Sequence, residues 1–268
     1  MSDPRPIGVF DSGVGGLTVA AALARRLPGE SILYLGDTAR LPYGSKSPET
    51  VVRYTQANVD FLAARRVKAV VVACNTASAL ALDRLETALP VWGVVEPGAA
   101  RAAALSGGRV GVIATEATVL SDAYGRALQR RRPELEVWSR ACPLLVPLVE
   151  EGWLDDPVTE AVARRYLEPL LASGIDTLVL GCTHYPLLVP LLERLVGAGV
   201  TLVDSAAAVA EQVAAELPAR RLESTGDVRR EDHFCVTDGA ARFGRLAREI
   251  LAREVTLELV DVGAADRR

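Results

Sequence analysis

The 268-residue sequence predicts an α/β protein of two pseudo-duplicated domains with mostly parallel sheets and an active-site cleft between them. Three observations carry that expectation. Short, nearly continuous apolar runs alternate with helical stretches, as in sheets buried on both faces. The runs form two sets that resemble each other in order, "IGVFDSGVGGLTV" from Ile7 against "VGVIATEATVLSD" from Val110. Finally, "VVVACNTASAL" (70–80) and "LVLGCTHYPLL" (178–188) are variants of one pattern: an apolar run, a cysteine, a threonine within two positions and an apolar continuation.

Taken in order, "PIGVFDSG" reads as a strand, followed by a "GVGG" turn and a helix over Leu17–Leu27. The turn is no dinucleotide fingerprint, because Thr18 stands where G-x-G-x-x-G needs its third glycine. Behind Asp11-Ser12 at a strand end it reads as a loop that holds an anion. "SILYLGDTA" is the next strand, and Asp37 at its end reads on its own as a cap for the next segment. "LPYG" is a turn by composition, and helices over Pro48–Ala64 and Ala77–Leu89 flank the strand "KAVVVACN". "PVWGVVEP", "RVGVIATE", "EVWSRACP", "DTLVLGCT" and "TLVDSA" complete the strands, and "VVEPGA" against "LVDSAA" keeps the offset of the two cysteine segments. This pairing assigns 1–97 with 206–268 to a first domain carrying Cys74, and 98–205 to a second carrying Cys182. The chain crosses near Pro97 and returns near Asp204, and "AVAEQVAAEL" onward rejoins the first domain. In open parallel sheets ligands bind beyond the carboxyl ends of strands, so two such edges face to face give a cleft with one thiol on each wall.

Composition narrows the function. Half the residues are apolar and 24% charged, with a net charge of −4. That is ordinary for a globular chain and gives no support for nucleic-acid binding. The pairs Arg25-Arg26, Arg65-Arg66 and Arg220-Arg221 are scattered, and Arg130–Arg132 suits a helix C-terminus. The N-terminus lacks a signal-peptide pattern and no apolar run is long enough to span a membrane. The expectation is a cytoplasmic protein whose four cysteines stay reduced.

A cysteine between a buried strand and a helix sits where backbone N–H groups favour an anion, which activates the thiol. Zinc is a weak rival, since Cys74, Cys182 and His184 lack a fourth ligand and no C-x-x-C occurs. A cysteine–histidine hydrolase is awkward, because His184 lies two residues from Cys182 and the other thiol has no task. Two opposed thiols suit one reaction: one, as thiolate, removes a proton from a stereocentre while the other delivers one to the opposite face. The planar carbanion between them needs its carboxylate clamped by fixed donors. Cys142 and Cys235 have no such pairing and read as structural.

With those residues in hand, the chain resembles the glutamate racemases of the cofactor-independent aspartate/glutamate racemase superfamily. "FDSGVGGLTV", "GDTARLPYGSKS", "ACNTASA", "PLVEEGW" and "GCTHYPLL" occur in that family's order over nearly the whole length. The resemblance implies Cys74 as the acid/base residue for D-glutamate and Cys182 for L-glutamate. It implies substrate contacts from Asp11, Ser12, Tyr43, Gly44, Asn75, Thr76, Thr183 and His184. Asp11, His184, Glu150 and Asp37 match residues that assist proton movement. Read alone, Glu150 is a helix-end surface acid and His184 can be structural. The family implies D-glutamate for peptidoglycan and a homodimer; aspartate is the alternative substrate, and a non-catalytic acidic amino-acid binder the alternative class. No metal and no cofactor is expected: pyridoxal chemistry needs a Schiff-base lysine, and neither Lys46 nor Lys68 has a phosphate cradle beside it. One departure is Ala114, where the family pattern has glycine, next to Thr115 and Thr118.

Overall fold

Ten strands, all in parallel pairs, form two sheets among the residues that the computed structural model describes, 3–224 and 231–263. The first contains β1 (Ile7–Asp11), β2 (Ile32–Gly36), β3 (Ala69–Val72), β4 (Val91–Gly93), β9 (His233–Val236) and β10 (Leu257–Leu259) in the order β10-β9-β2-β1-β3-β4. The second contains β5 (Arg109–Ala114), β6 (Glu136–Ala141), β7 (Thr177–Gly181) and β8 (Thr201–Asp204) in the order β6-β5-β7-β8. The segment β2-β1-β3-β4 of one sheet therefore repeats as β6-β5-β7-β8 in the other. The two strands that lead to the cysteines, β3 and β7, hold the same place beside β1 and β5 respectively.

The apolar runs are continuous because both faces of each sheet are covered. On the first sheet, Ile7, Val9 and Val71 face α1 (Leu17–Arg26), α10 (Ser205–Ala219) and α11 (Ala240–Leu251). Phe10, Val70 and Val72 face α2 (Pro48–Ala64). On the second, Leu178 and Leu180 pack with α7 (Leu145–Glu150), α8 (Pro157–Ala172) and α9 (Val189–Val196). Val179 packs with α4 (Val95–Leu105) and α6 (Ala123–Arg131). Within the second sheet the edge strand β6 is the least covered, and "EVWSRA" carries charges there.

Local signals place the helix starts. Ser47 caps α2 by accepting from the Thr50 amide at 3.3 Å, with Pro48 in the first turn. Asp204 caps α10 by accepting from the Ala206 amide at 2.8 Å. The expected helix over Ala77–Leu89 is shorter: α3 spans Asn75–Leu80, and Leu82–Arg84 form a separate 3-10 turn. The Gln56 side chain explains why the chain leaves the helix. Its amide donates to the Glu86 carbonyl at 3.0 Å and accepts from the Glu86 N–H at 2.9 Å, giving that backbone a partner outside any helix. The apolar pattern does not predict strands β9 and β10. They are short, and β9 gains its hydrogen bonds by pairing with β2 (Leu33 opposite His233). Residues 1–2, 225–230 and 264–268 of the expected first domain lie outside the described residues. Ala114, buried on β5, lies opposite Gly181, whose missing Cβ leaves it room.

Candidate active site

The carboxyl ends of the two sheets meet around a cavity of about 370 Å³, within the range of small-molecule sites. Its lining includes Ser12, Tyr43, Gly44, Cys74, Asn75 and Thr76 from the first sheet's side. From the second come Glu150, Cys182, Thr183 and His184, with Thr115 and Glu116 from the end of β5. The two thiols are free and buried, at 5% and 6% exposure. The expected site residues thus gather in one place, with two exceptions. Asp11 sits just behind the lining. Asp37 stands one contact behind it: its carboxylate takes Arg40 Nε at 2.8 Å, Thr237 Oγ1 at 3.2 Å and the hydroxyl of the lining residue Tyr43, and so braces the segment that presents Tyr43 and Gly44.

On the first wall, β1 ends in Asp11, whose Oδ2 accepts from the Gly13 amide at 2.9 Å. Burial pushes the Asp11 carboxyl upward, opposed by the charge of His184 and by the Gly13 and Gly16 amides. Cys74 lies two residues past β3 and caps α3, with its sulfur 3.6 Å from the Ser12 hydroxyl. Burial pushes the Cys74 thiol up to about 12 and the Asp11 carboxylate adds to this, while the Ala77 amide and Ser12 hydroxyl pull the other way. The next residue, Asn75, is 2% exposed. The buried Tyr124 hydroxyl donates to its Oδ1 at 2.6 Å, and its Nδ2 has no partner among the described residues. Thr76 Oγ1 lies 2.9 Å from Thr115 Oγ1 and 3.3 Å from Thr118 Oγ1, tying α3 to α5 (Glu116–Leu120).

The second wall is a relay. Cys182 Sγ lies 3.8 Å from His184 Nδ1, and His184 Nε2 lies 3.2 Å from Glu150 Oε1. Arg242 of α11 reaches Glu150 Oε2 at 3.4 Å and Glu151 Oε1 at 3.0 Å. Burial alone lowers the His184 pKa, but Cys182 and Glu150 together outweigh it and carry the imidazole up to about 10. The hydrogen bond from His184 holds Glu150 low despite its burial. The walls also touch directly: Thr183 Oγ1 donates to Asp11 Oδ1 at 3.3 Å. At Gly15 a Cβ would lie 2.4 Å from Thr183 Oγ1 and 2.6 Å from His184 Nδ1, so only glycine lets the β1 loop approach this closely.

Tyr124 and Arg242 escaped sequence reasoning, since no spacing links them to Asn75 or Glu150. Cys142 and Cys235 are buried outside the cavity lining, near the Arg140 carbonyl and Glu258 respectively, both at 3.6 Å. Lys68 immediately precedes β3 at the sheet end opposite the cavity, paired with Glu30 and donating to the Asp3 carbonyl at 2.9 Å. Lys46 follows the Tyr43–Ser45 turn, and neither lysine lines the cavity. Among the described residues no group of three or more His, Cys, Asp or Glu is placed to hold a metal ion, and no helix is long and apolar enough to cross a membrane.

The family model for Asp/Glu/hydantoin racemases matches residues 16–213. The glutamate racemase of Geobacter metallireducens is 52% identical over 92% of this chain and 93% of its own. That of Neisseria meningitidis (strain Z2491) is 48% identical over 97% of each chain. The solved structure of glutamate racemase from Francisella tularensis in complex with D-glutamate superposes with a TM-score of 0.92 at 38% identity, covering 98% of this chain and 99% of that one.

Proposed function

The chain belongs to the Asp/Glu/hydantoin racemase family, and from that premise we propose that it interconverts L- and D-glutamate by taking the α-proton with one cysteine and returning a different proton from the other. The observation that supports this best is the placement of Cys74 and Cys182, each following an equivalent strand and both lining one cavity. In this reading Cys74 acts on the α-proton of D-glutamate and Cys182 on that of L-glutamate. The thiolate on one wall takes the proton, its own S–H bond forming as the Cα–H bond breaks. The thiol on the other wall then gives its proton to the opposite face and becomes the thiolate. No net proton is consumed.

Forming a thiolate at Cys74 is costly, because burial and Asp11 both oppose negative charge there. The substrate's ammonium group offsets this by bringing a positive charge between the thiols. On the opposite wall the charge is already present as protonated His184, held in place by Glu150. The unpartnered Asn75 amide and the hydroxyls of Ser12 and Thr76 are the donors for the substrate's carboxylates. Fixed donors of this kind gain in value as charge moves onto the carbanion. The D-glutamate formed serves peptidoglycan synthesis, and the protein works as a homodimer in the cytoplasm; light scattering showing only monomer at all concentrations would remove the dimer.

Circular dichroism of each enantiomer of glutamate and of aspartate, incubated separately with the protein, tests the reaction. Glutamate is expected to lose optical activity from both sides. If aspartate alone does so, the substrate is wrong, and if neither does, the protein is not a racemase for these acids.

A further inference from the structure

Asn75 is the only residue with an unpartnered buried side-chain nitrogen among the described residues, and it lines the cavity. A primary amide can turn over by 180° and exchange its donor and acceptor edges at almost no steric cost. Something must therefore decide which edge the substrate meets. Tyr124 is the group in a position to do so. Its hydroxyl lies 2.6 Å from Asn75 Oδ1, and both side chains are 2% exposed, so water does not compete for the contact. Burial holds the phenol protonated, and the Ser205 hydroxyl at the start of α10 is its other polar neighbour. With Ser205 donating to the phenol oxygen, the single phenolic proton is left for an acceptor, and only the Oδ1 edge of Asn75 accepts.

We infer that Tyr124 is a positioning residue that fixes the Asn75 amide with its NH2 edge toward the cavity, where it donates to a carboxylate of the bound amino acid. The inference rests on the glutamate reading above. It also has a conformational consequence. Tyr124 stands on α6, which packs on the second sheet, whereas Asn75 opens α3 behind the first. The donor is thus oriented across the cleft, and moving the two sheets apart would release it. Removing the phenol oxygen leaves Asn75 free to present its carbonyl to an anion, which repels it.

A double-mutant cycle on the full-length protein tests this. Tyr124→Phe is expected to raise KM for L- and D-glutamate alike, by roughly tenfold, the worth of one hydrogen bond to a charged group. In an Asn75→Ala background the same Tyr124→Phe change is expected to cost almost nothing, because no amide remains to orient. A general packing role predicts equal losses in both backgrounds, and that result overturns the inference, as does an unchanged KM in Tyr124→Phe alone. Calorimetric binding of D-glutamate to the same four proteins separates this from the function itself. If the wild type binds without racemising, the reaction is wrong and the cycle is read in Kd; if it neither binds nor racemises, both readings fall.

Discussion

Cys74 and Cys182 follow equivalent strands in a repeated topology, yet their surroundings differ in kind. The Cys74 wall has short neutral donors, Ser12 and the Ala77 amide, and a buried carboxylate behind them. The Cys182 wall has an imidazole, a second carboxylate and an arginine in line. Repetition therefore supplied the positions of the two sulfurs but not their electrostatics. A reaction that runs both ways through two thiols does not need identical walls. It needs the two half-reactions to meet at one intermediate, and each wall can reach it by its own means. Because the enantiomers have equal free energy, kcat/KM stays equal in the two directions in every variant. Any asymmetry between the walls must appear in kcat and KM taken separately, or in exchange of the α-hydrogen with solvent.

The largest expected effect removes the sulfurs themselves. Cys74→Ala and Cys182→Ala should each cost roughly 10²–10⁴-fold or more in racemisation from either enantiomer, since in the proposed mechanism every inversion uses both thiols. Assays in D₂O sharpen the comparison. Cys182→Ala keeps the thiol assigned to D-glutamate and should exchange that α-hydrogen without inverting it, and Cys74→Ala should do the same for L-glutamate. Near-normal turnover in either variant breaks the two-thiol mechanism. Cys142→Ala and Cys235→Ala should leave turnover unchanged and cost only packing, read as a lower midpoint in urea.

The relay comes next. His184→Gln should lower kcat from L-glutamate by roughly tenfold, the loss of a hydrogen bond to a charged group, and kcat from D-glutamate by less. Equal losses would mean that His184 serves both walls. A stability measurement checks its protonation. A histidine whose folded pKa is raised stabilises the fold fully below its unfolded pKa near 6.5, and that contribution fades as pH rises through about 10. The gap in unfolding free energy between wild type and His184→Gln should therefore be wide at pH 6 and narrow by pH 10. A constant gap would show that folding does not raise the His184 pKa.

Much of this was legible in the sequence, and the limits have physical causes. Both cysteines, Asn75, Thr76, Thr183 and His184 lie close to a strand end, where the local pattern alone fixes which edge they face. Ser12 and Gly15 follow for the same reason. Glu150 is different: helix α7 brings it to His184 through tertiary packing, and only a family resemblance pointed to it. Asp37 sits at a strand end like Asp11, but its neighbours Arg40, Asn58 and Thr237 draw its carboxylate away from the cavity. Nothing in strand-end position separates those two outcomes. Strands β9 and β10 lack the apolar runs that mark the others, and they extend the sheet by pairing β9 with β2 and β10 with β9.

The smallest expected effect concerns Arg242, which links the Cys182 relay to a helix of the first sheet. Its side chain is 49% exposed, whereas Glu150 is 14% exposed, so solvent screens the pair and its worth is that of a surface contact, about 0.2–1 kcal/mol. Arg242→Gln should therefore change kcat from L-glutamate by less than about fivefold, with kcat from D-glutamate nearly untouched. Salt distinguishes a relay effect from a loss of packing. Screening acts on the charge and not on the shape, and at about 1 M ionic strength it reaches down to roughly 3 Å. Wild type in high salt should move toward the variant, while Arg242→Gln itself should respond little beyond the general effect of salt on substrate binding. If the two proteins respond alike, Arg242 holds α11 against the second sheet's side by contact alone, and the electrostatic asymmetry of the walls ends at Glu150.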